Sequence, residues 1–105
     1  MKIKRISNMD NTNGTSSCGL YFDATTEQII AKVGEPDYRE GPCSKVTREW
    51  DLELEDGTPF TIYDWKEYRE YEDDEVINWH IGTQHTDKEA ADKVKEALKE
   101  VGLYK

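Results

Sequence analysis

Histidine is the side chain that exchanges protons near neutral pH, and His80 stands in the segment Ile77-Asn-Trp-His-Ile81 with Asn78 two residues before it. A second segment, Phe60-Thr-Ile-Tyr-Asp-Trp65, brings Tyr63 and Trp65 to either side of Asp64. For His80 to work as a general base it would need a nucleophile or an orienting carboxylate, and no serine or cysteine neighbours it in sequence. Asp64 and Asp51 are the candidate carboxylates for a hydrolase. Strand alternation sets Asp64 and His80 on opposite faces of a regular sheet, which keeps them apart. The chemistry these residue types favour is contact: aromatic anchors beside hydrogen-bonding groups, as in protein interfaces and base-stacking sites. The chain is therefore expected not to be an enzyme.

Other reactive residues are scattered. Cys18 and Cys43 have no CxxC spacing, and with His80 and His85 they satisfy no zinc pattern, so neither a metal nor a cofactor is expected and free thiols are the default. No glycine-rich phosphate loop occurs. A phosphate-bearing ligand would require Arg39, Lys45, Arg48, Lys66 and Arg69 to converge. The densest acidic run is Glu67 to Glu75, with Glu70, Glu72, Asp73, Asp74 and Glu75. As a solvated connection it protects strand edges; as a contact surface it imitates phosphate spacing and fits a basic groove.

The composition narrows the partners. The chain has 105 residues, 14 basic against 23 acidic, and a formal charge of -9. That balance argues against direct binding to nucleic acid or an anionic membrane. No run of about 18 apolar residues could span a bilayer, and Met1 to Ser7 lacks the apolar stretch of a secretory signal, so a cytoplasmic protein is expected. At this length folding hides roughly 65% of the extended chain's surface, enough for one core. Residues 1–105 are read as a single α+β domain, with 1–17 as an edge strand and flexible loop.

Periodicity supplies the elements that position the candidate residues. Gly19 to Phe22 reads as a brief strand. Thr25-Thr-Glu-Gln28 has the capping-box pattern, and the helix it opens carries Ile29, Ile30 and Val33 until Gly34 and Pro36 stop it. Asp37 to Ser44 reads as loop. From Val46 the period is two, with Val46, Trp50, Leu52 and Leu54 on one side and Thr47, Glu49, Asp51 and Glu53 on the other. Asp56-Gly57 turns the chain into a return strand with Phe60 and Ile62 on one face. Val76 to Ile81 is the third strand. Thr86-Asp-Lys-Glu89 caps a closing helix whose stripe is Ala90, Ala91, Val94, Ala97, Leu98 and Val101.

The expected fold is thus a three-stranded antiparallel meander, extended by N-terminal strands, with a short helix and a C-terminal helix packed on one face. The helices cover Trp50, Leu52, Leu54, Phe60, Ile62, Trp79 and Ile81. Asp64, on that side, would need a donor such as Arg48. The other face carries Glu49, Asp51, Glu53, Tyr63, Trp65, Asn78 and His80, the expected binding residues.

Gly34-Glu-Pro36, Asp56-Gly57, Thr61-Ile-Tyr-Asp-Trp-Lys66 and Trp79-His-Ile-Gly82 together give the chain a resemblance over about residues 19–101. It resembles a family of small, largely uncharacterised bacteriophage-encoded proteins, although Thr83 replaces a second glycine and the 67–75 loop is more acidic. The resemblance implies a phage accessory protein, acting in the cytoplasm of an infected bacterium by binding and inhibiting a host protein of a defence system or of nucleic-acid processing. The alternative is a sponge for a nucleotide-like signal. Self-association through an edge strand is a further possibility.

Overall fold

A computed structural model describes residues 2–6, 15–41, 43–84 and 89–104. Their order is β1 (Ile3–Arg5), β2 (Thr15–Thr25), α1 (Thr26–Val33), β3 (Tyr38–Arg39), β4 (Arg48–Leu54), β5 (Pro59–Tyr63), β6 (Val76–Gln84) and α2 (Ala90–Glu100). The α+β class and the β4-β5-β6 meander agree with the periodicity. The sheet is larger than three strands: it has six, ordered β1-β4-β5-β6-β2, with β3 also paired to β4 and every pairing antiparallel. Because β5 takes one edge of β4, β1 and β3 share the other, β1 against Leu52 to Leu54 and β3 against Arg48 and Glu49.

Two N-terminal readings change. Residues 15–17, read as loop, belong to β2, which runs to Thr25 against the full length of β6. The register shifts between Ser17 and Tyr21, where Gly19 adopts φ +82°, a left-handed conformation that glycine accepts at little cost. This bulge re-aims the strand so that Tyr21 faces out opposite His80 and Phe22 faces in opposite Trp79. Tyr38 and Arg39, read as loop, form the two-residue β3. The expected loop over residues 8–14 and the cap at Thr86 lie outside the described residues.

The helices pack on the expected face. Thr25 caps α1: its hydroxyl accepts from Gln28 N at 3.1 Å while the Gln28 side chain accepts from Thr25 N at 2.8 Å. Helix α2 closes at Gly102, φ +83°, with Gly102 N bonded to Lys99 O and Leu103 N to Leu98 O, a Schellman arrangement that also buries Leu103. Ile29 of α1 and Val94, Ala97 and Leu98 of α2 join Trp50, Leu52, Leu54, Phe60, Ile62, Ile77, Trp79 and Ile81 in one core. Each fully buried Leu, Ile or Phe there contributes roughly 1.5–3 kcal/mol. Trp50 and Trp79 meet edge to face at 5.2 Å, and their indole N–H groups donate to Gly34 O and Ala24 O.

The long β5–β6 connection is anchored through a buried polar cluster. Asp64 is fully buried on the core side, as alternation requires. Its donors are Thr47 N (2.7 Å), Arg48 N (3.0 Å), the Thr47 hydroxyl and the Tyr71 hydroxyl (2.9 Å). The Arg48 guanidinium, expected as its partner, instead bonds Thr26 Oγ1, Tyr71 O and Asp73, and lies over the Tyr71 ring. Burial raises the Tyr71 phenol above its ordinary pKa. No helix among the described residues is long and apolar enough to cross a membrane.

Candidate functional site

Strand register lines up a row across the face that the helices leave open. Tyr38 on β3 opposes Glu49 on β4, Glu49 opposes Tyr63 on β5, Tyr63 opposes His80 on β6, and His80 opposes Tyr21 on β2. Five strands thus contribute three tyrosines, a histidine and a carboxyl group to one line. His80 is edge-on to Tyr21 at 4.7 Å and tilted against Tyr63 at 5.6 Å. Burial between the rings holds its pKa below the ordinary value, against the opposing pull of the Glu67 and Asp64 carboxylates, which favours the neutral imidazole.

Trp65 extends the row. It stands edge to face with Tyr63 at 6.2 Å, and the Lys66 ammonium lies 5.4 Å from its ring centroid. Lys66 and Tyr68 both have left-handed backbone, φ +53° and +50°, a conformation costing roughly 1–2 kcal/mol per non-glycine residue. Among the described residues the exposed large hydrophobics are Tyr21, Tyr38, Trp65, Tyr68 and Val76. All but Tyr68 follow the outward parity of this face or adjoin it. A solvated sheet face more often carries polar side chains.

Of the sequence-predicted residues, the structure brings Glu49, Tyr63, Trp65 and His80 together. Asn78 sits one pair along, its amide donating to Asp23 at 3.1 Å. Glu53, half-buried, lies opposite Lys4. Asp51 shares the face but is only 3% exposed, so it cannot be a broad contact residue. The cause is the segment before β3: Asp37 N bonds Glu49 O, and the Asp37 carboxylate accepts from Asp51 N at 2.7 Å while holding Arg5 at 2.7 Å. Tyr21 and Tyr38 escape sequence reading because the long-range pairing of β2 with β6 and a two-residue strand set their places in the row.

The acidic end has its own electrostatics. Burial, then the bond to Asp51, then the charges of Asp51 and Asp37 push Glu49 up to about 8 from an ordinary 4.5. Asp51 Oδ1 is buried and accepts no hydrogen bond from an N–H or hydroxyl among the described residues. A proton on Glu49 is what relieves the pair.

The acidic loop is partly spent on the fold. Asp73 bonds Arg48 (3.1 Å) and Arg39 (3.6 Å), and Glu75 bonds Arg69. Glu70, Glu72 and Asp74 are exposed. Arg39, Arg48 and Arg69, three of the five cations a phosphate would need, line one hollow of about 270 Å³ with Tyr71, but Glu40, Glu70 and Glu72 line it too. Cys43 is a free, exposed thiol. Among the described residues no group of three or more His, Cys, Asp or Glu could hold a metal ion. His85 and the Cys18 side chain lie outside the described residues. No protein-family model, curated protein or solved structure matches the chain.

Proposed function

We propose that the protein is a non-catalytic binding protein whose open sheet face docks on a basic partner protein. The observation that carries this reading is the register-aligned row Tyr38, Glu49, Tyr63, His80 and Tyr21, extended by Trp65, on a chain of charge -9. Exposed aromatics are the usual anchors of protein interfaces, and surrounding carboxylates select and steer a positively charged partner. The phage resemblance suggests a host defence or nucleic-acid-processing protein as that partner, bound and thereby inhibited in the host cytoplasm.

The test is capture from a bacterial host lysate on the immobilised chain, compared with a Tyr21→Ala/Trp65→Ala variant and a Glu70→Gln/Glu72→Gln control. The expected result is a basic protein retained by the chain and the control, lost from the aromatic variant, and released as salt rises. A captured set that is the same on all three would refute the reading.

A second reading, a sponge for a nucleotide-like signal, draws support from the convergence of Arg39, Arg48 and Arg69 on one hollow. Each of these arginines is already paired with a carboxylate, which weakens the attraction for phosphate. Thermal-shift measurements against cyclic and linear nucleotides separate the two, since a ligand at 100 times its dissociation constant stabilises by about 2.7 kcal/mol.

A further inference from the structure

On the reading of the open face as a protein-binding surface, we propose that Glu49 and Asp51 form the seat for one arginine of the partner, its guanidinium entering between Tyr38 and Tyr63. Glu49 has a tyrosine directly across the strand on each side, Tyr38 from β3 and Tyr63 from β5. Asp51 lies two residues on along β4, on the same face, 97% buried by its 3% exposure, with Oδ1 lacking a donor. Apart from the proton that Glu49 carries, no donor among the described residues reaches this buried oxygen, so the site is built short of donors.

No lysine or arginine among the described residues forms an ion pair with Glu49 or Asp51. Arg5, which holds Asp37 beside the pair, is committed to Asp37 and to Val33 O. Asp37 in turn spends its second oxygen on Asp51 N. Two carboxyl groups therefore share a position that wants hydrogen-bond donors and positive charge. In the free protein the relief is a proton on Glu49. A guanidinium supplies planar, paired N–H donors that match carboxylate geometry, and its flat faces stack on tyrosine rings, which an ammonium does less well.

Seating the cation displaces the Glu49 proton to solvent, so binding and deprotonation are linked. Below the Glu49 pKa of about 8, affinity rises with pH by close to tenfold per unit; above it, affinity levels off. The other groups around the pair are Tyr38 with neighbouring Glu40 on the β3 side, Asp37, Arg5 and Lys4 toward β1, Glu53 on β4, Tyr63 on β5 and His80 beyond it. Only His80 among these titrates ordinarily near neutrality. Burial shifts its pKa further down, away from the window in which the Glu49 proton is released.

The experiment uses the full chain with N-acetyl-arginine amide as probe and N-acetyl-citrulline amide, uncharged and nearly isosteric, as control, followed by NMR titration at pH 6.5, 7.5 and 8.5. The expected result is binding of the arginine probe with shifts at Glu49, Tyr38 and Tyr63, a close to tenfold gain from pH 6.5 to 7.5, and at least tenfold weaker citrulline binding. Glu49→Gln, which keeps the shape of the protonated acid, is expected to fold normally and to lose both the affinity and the pH slope. Equal binding of the two probes, a flat pH profile, or an unchanged Glu49→Gln overturns the proposal. Capture of a basic partner that survives Glu49→Gln but not Tyr21→Ala/Trp65→Ala would sink the arginine seat alone; survival through both substitutions would sink the docking surface itself.

Discussion

Four donors converge on the Asp64 carboxylate, two backbone N–H groups on Oδ1 and two hydroxyls on Oδ2. Asp64→Ala strands all four in the core and is expected to cost about 3–5 kcal/mol in urea unfolding. Asp64→Asn is expected to cost about 1–2 kcal/mol, because the amide oxygen still accepts the N–H pair and either hydroxyl can turn to accept from the amide nitrogen. Equal losses for the two substitutions would mean that the charge itself holds the site. Alternation along the strand was enough to place Asp64 inside. It could not choose the donors, because that depended on how Thr47 and Arg48 present their backbone N–H groups at the start of β4. Glu49 makes a pH prediction. Its folded pKa of about 8 exceeds the ordinary 4.5, so the folded state holds the proton more tightly, and the group's stabilisation is full below pH 4.5 and lost as pH rises through 8. His80 runs the other way: its lowered pKa gives a contribution present above pH 6.5 and lost as pH falls. Thermal midpoints should therefore decline from pH 6.5 to 8.5, and Glu49→Gln should flatten that decline; a variant that declines equally would remove Glu49 as the cause.

Among the elements, α1 was the most fully legible, because its signals are local: a capping box at Thr25 and Gln28, an apolar stripe, and Gly34 at the end. Thr25→Ala removes one reciprocal bond of that box and is expected to cost about 1 kcal/mol in chemical denaturation, with the sheet otherwise unchanged. A loss well above 2 kcal/mol would show that the cap also fixes how β2 hands the chain to the helix. The meander was legible for the same reason, since alternation and the Asp56-Gly57 turn lie within a few residues of each other. Pairing of β2 with β6 joins residues more than fifty positions apart, and no local pattern encodes that choice. From Leu20 the alternation is regular, with Leu20, Phe22 and Ala24 inward and Tyr21 and Asp23 outward, but it does not say that Tyr21 lies opposite His80. Strand β3 is two residues long and has no period to read. Tyr71, embedded in a charged run, is buried because Asp64 and Arg48 draw the connection inward.

At the scale of the whole molecule, one face of the sheet is closed by two helices and the other presents aromatic rings beside the Glu49–Asp51 pair. The first half of that division followed from amphipathic patterning. The second half needed the strand order, since Tyr38, Tyr63, His80 and Tyr21 become neighbours only when five strands are aligned. On the proposed reading this face docks on a basic protein, where charge would set rate and selectivity and the rings would set affinity. The most direct measurement is the dissociation constant of the captured partner for the wild-type chain and for Trp65→Ala and Tyr21→Ala separately, at 150 mM salt. Both side chains are more than 40% exposed, so neither substitution should move the thermal midpoint by more than about 4 °C. The account predicts that each substitution weakens binding by about thirtyfold, the size of a 2 kcal/mol interface anchor. Dissociation constants within twofold of wild type for both variants would contradict it.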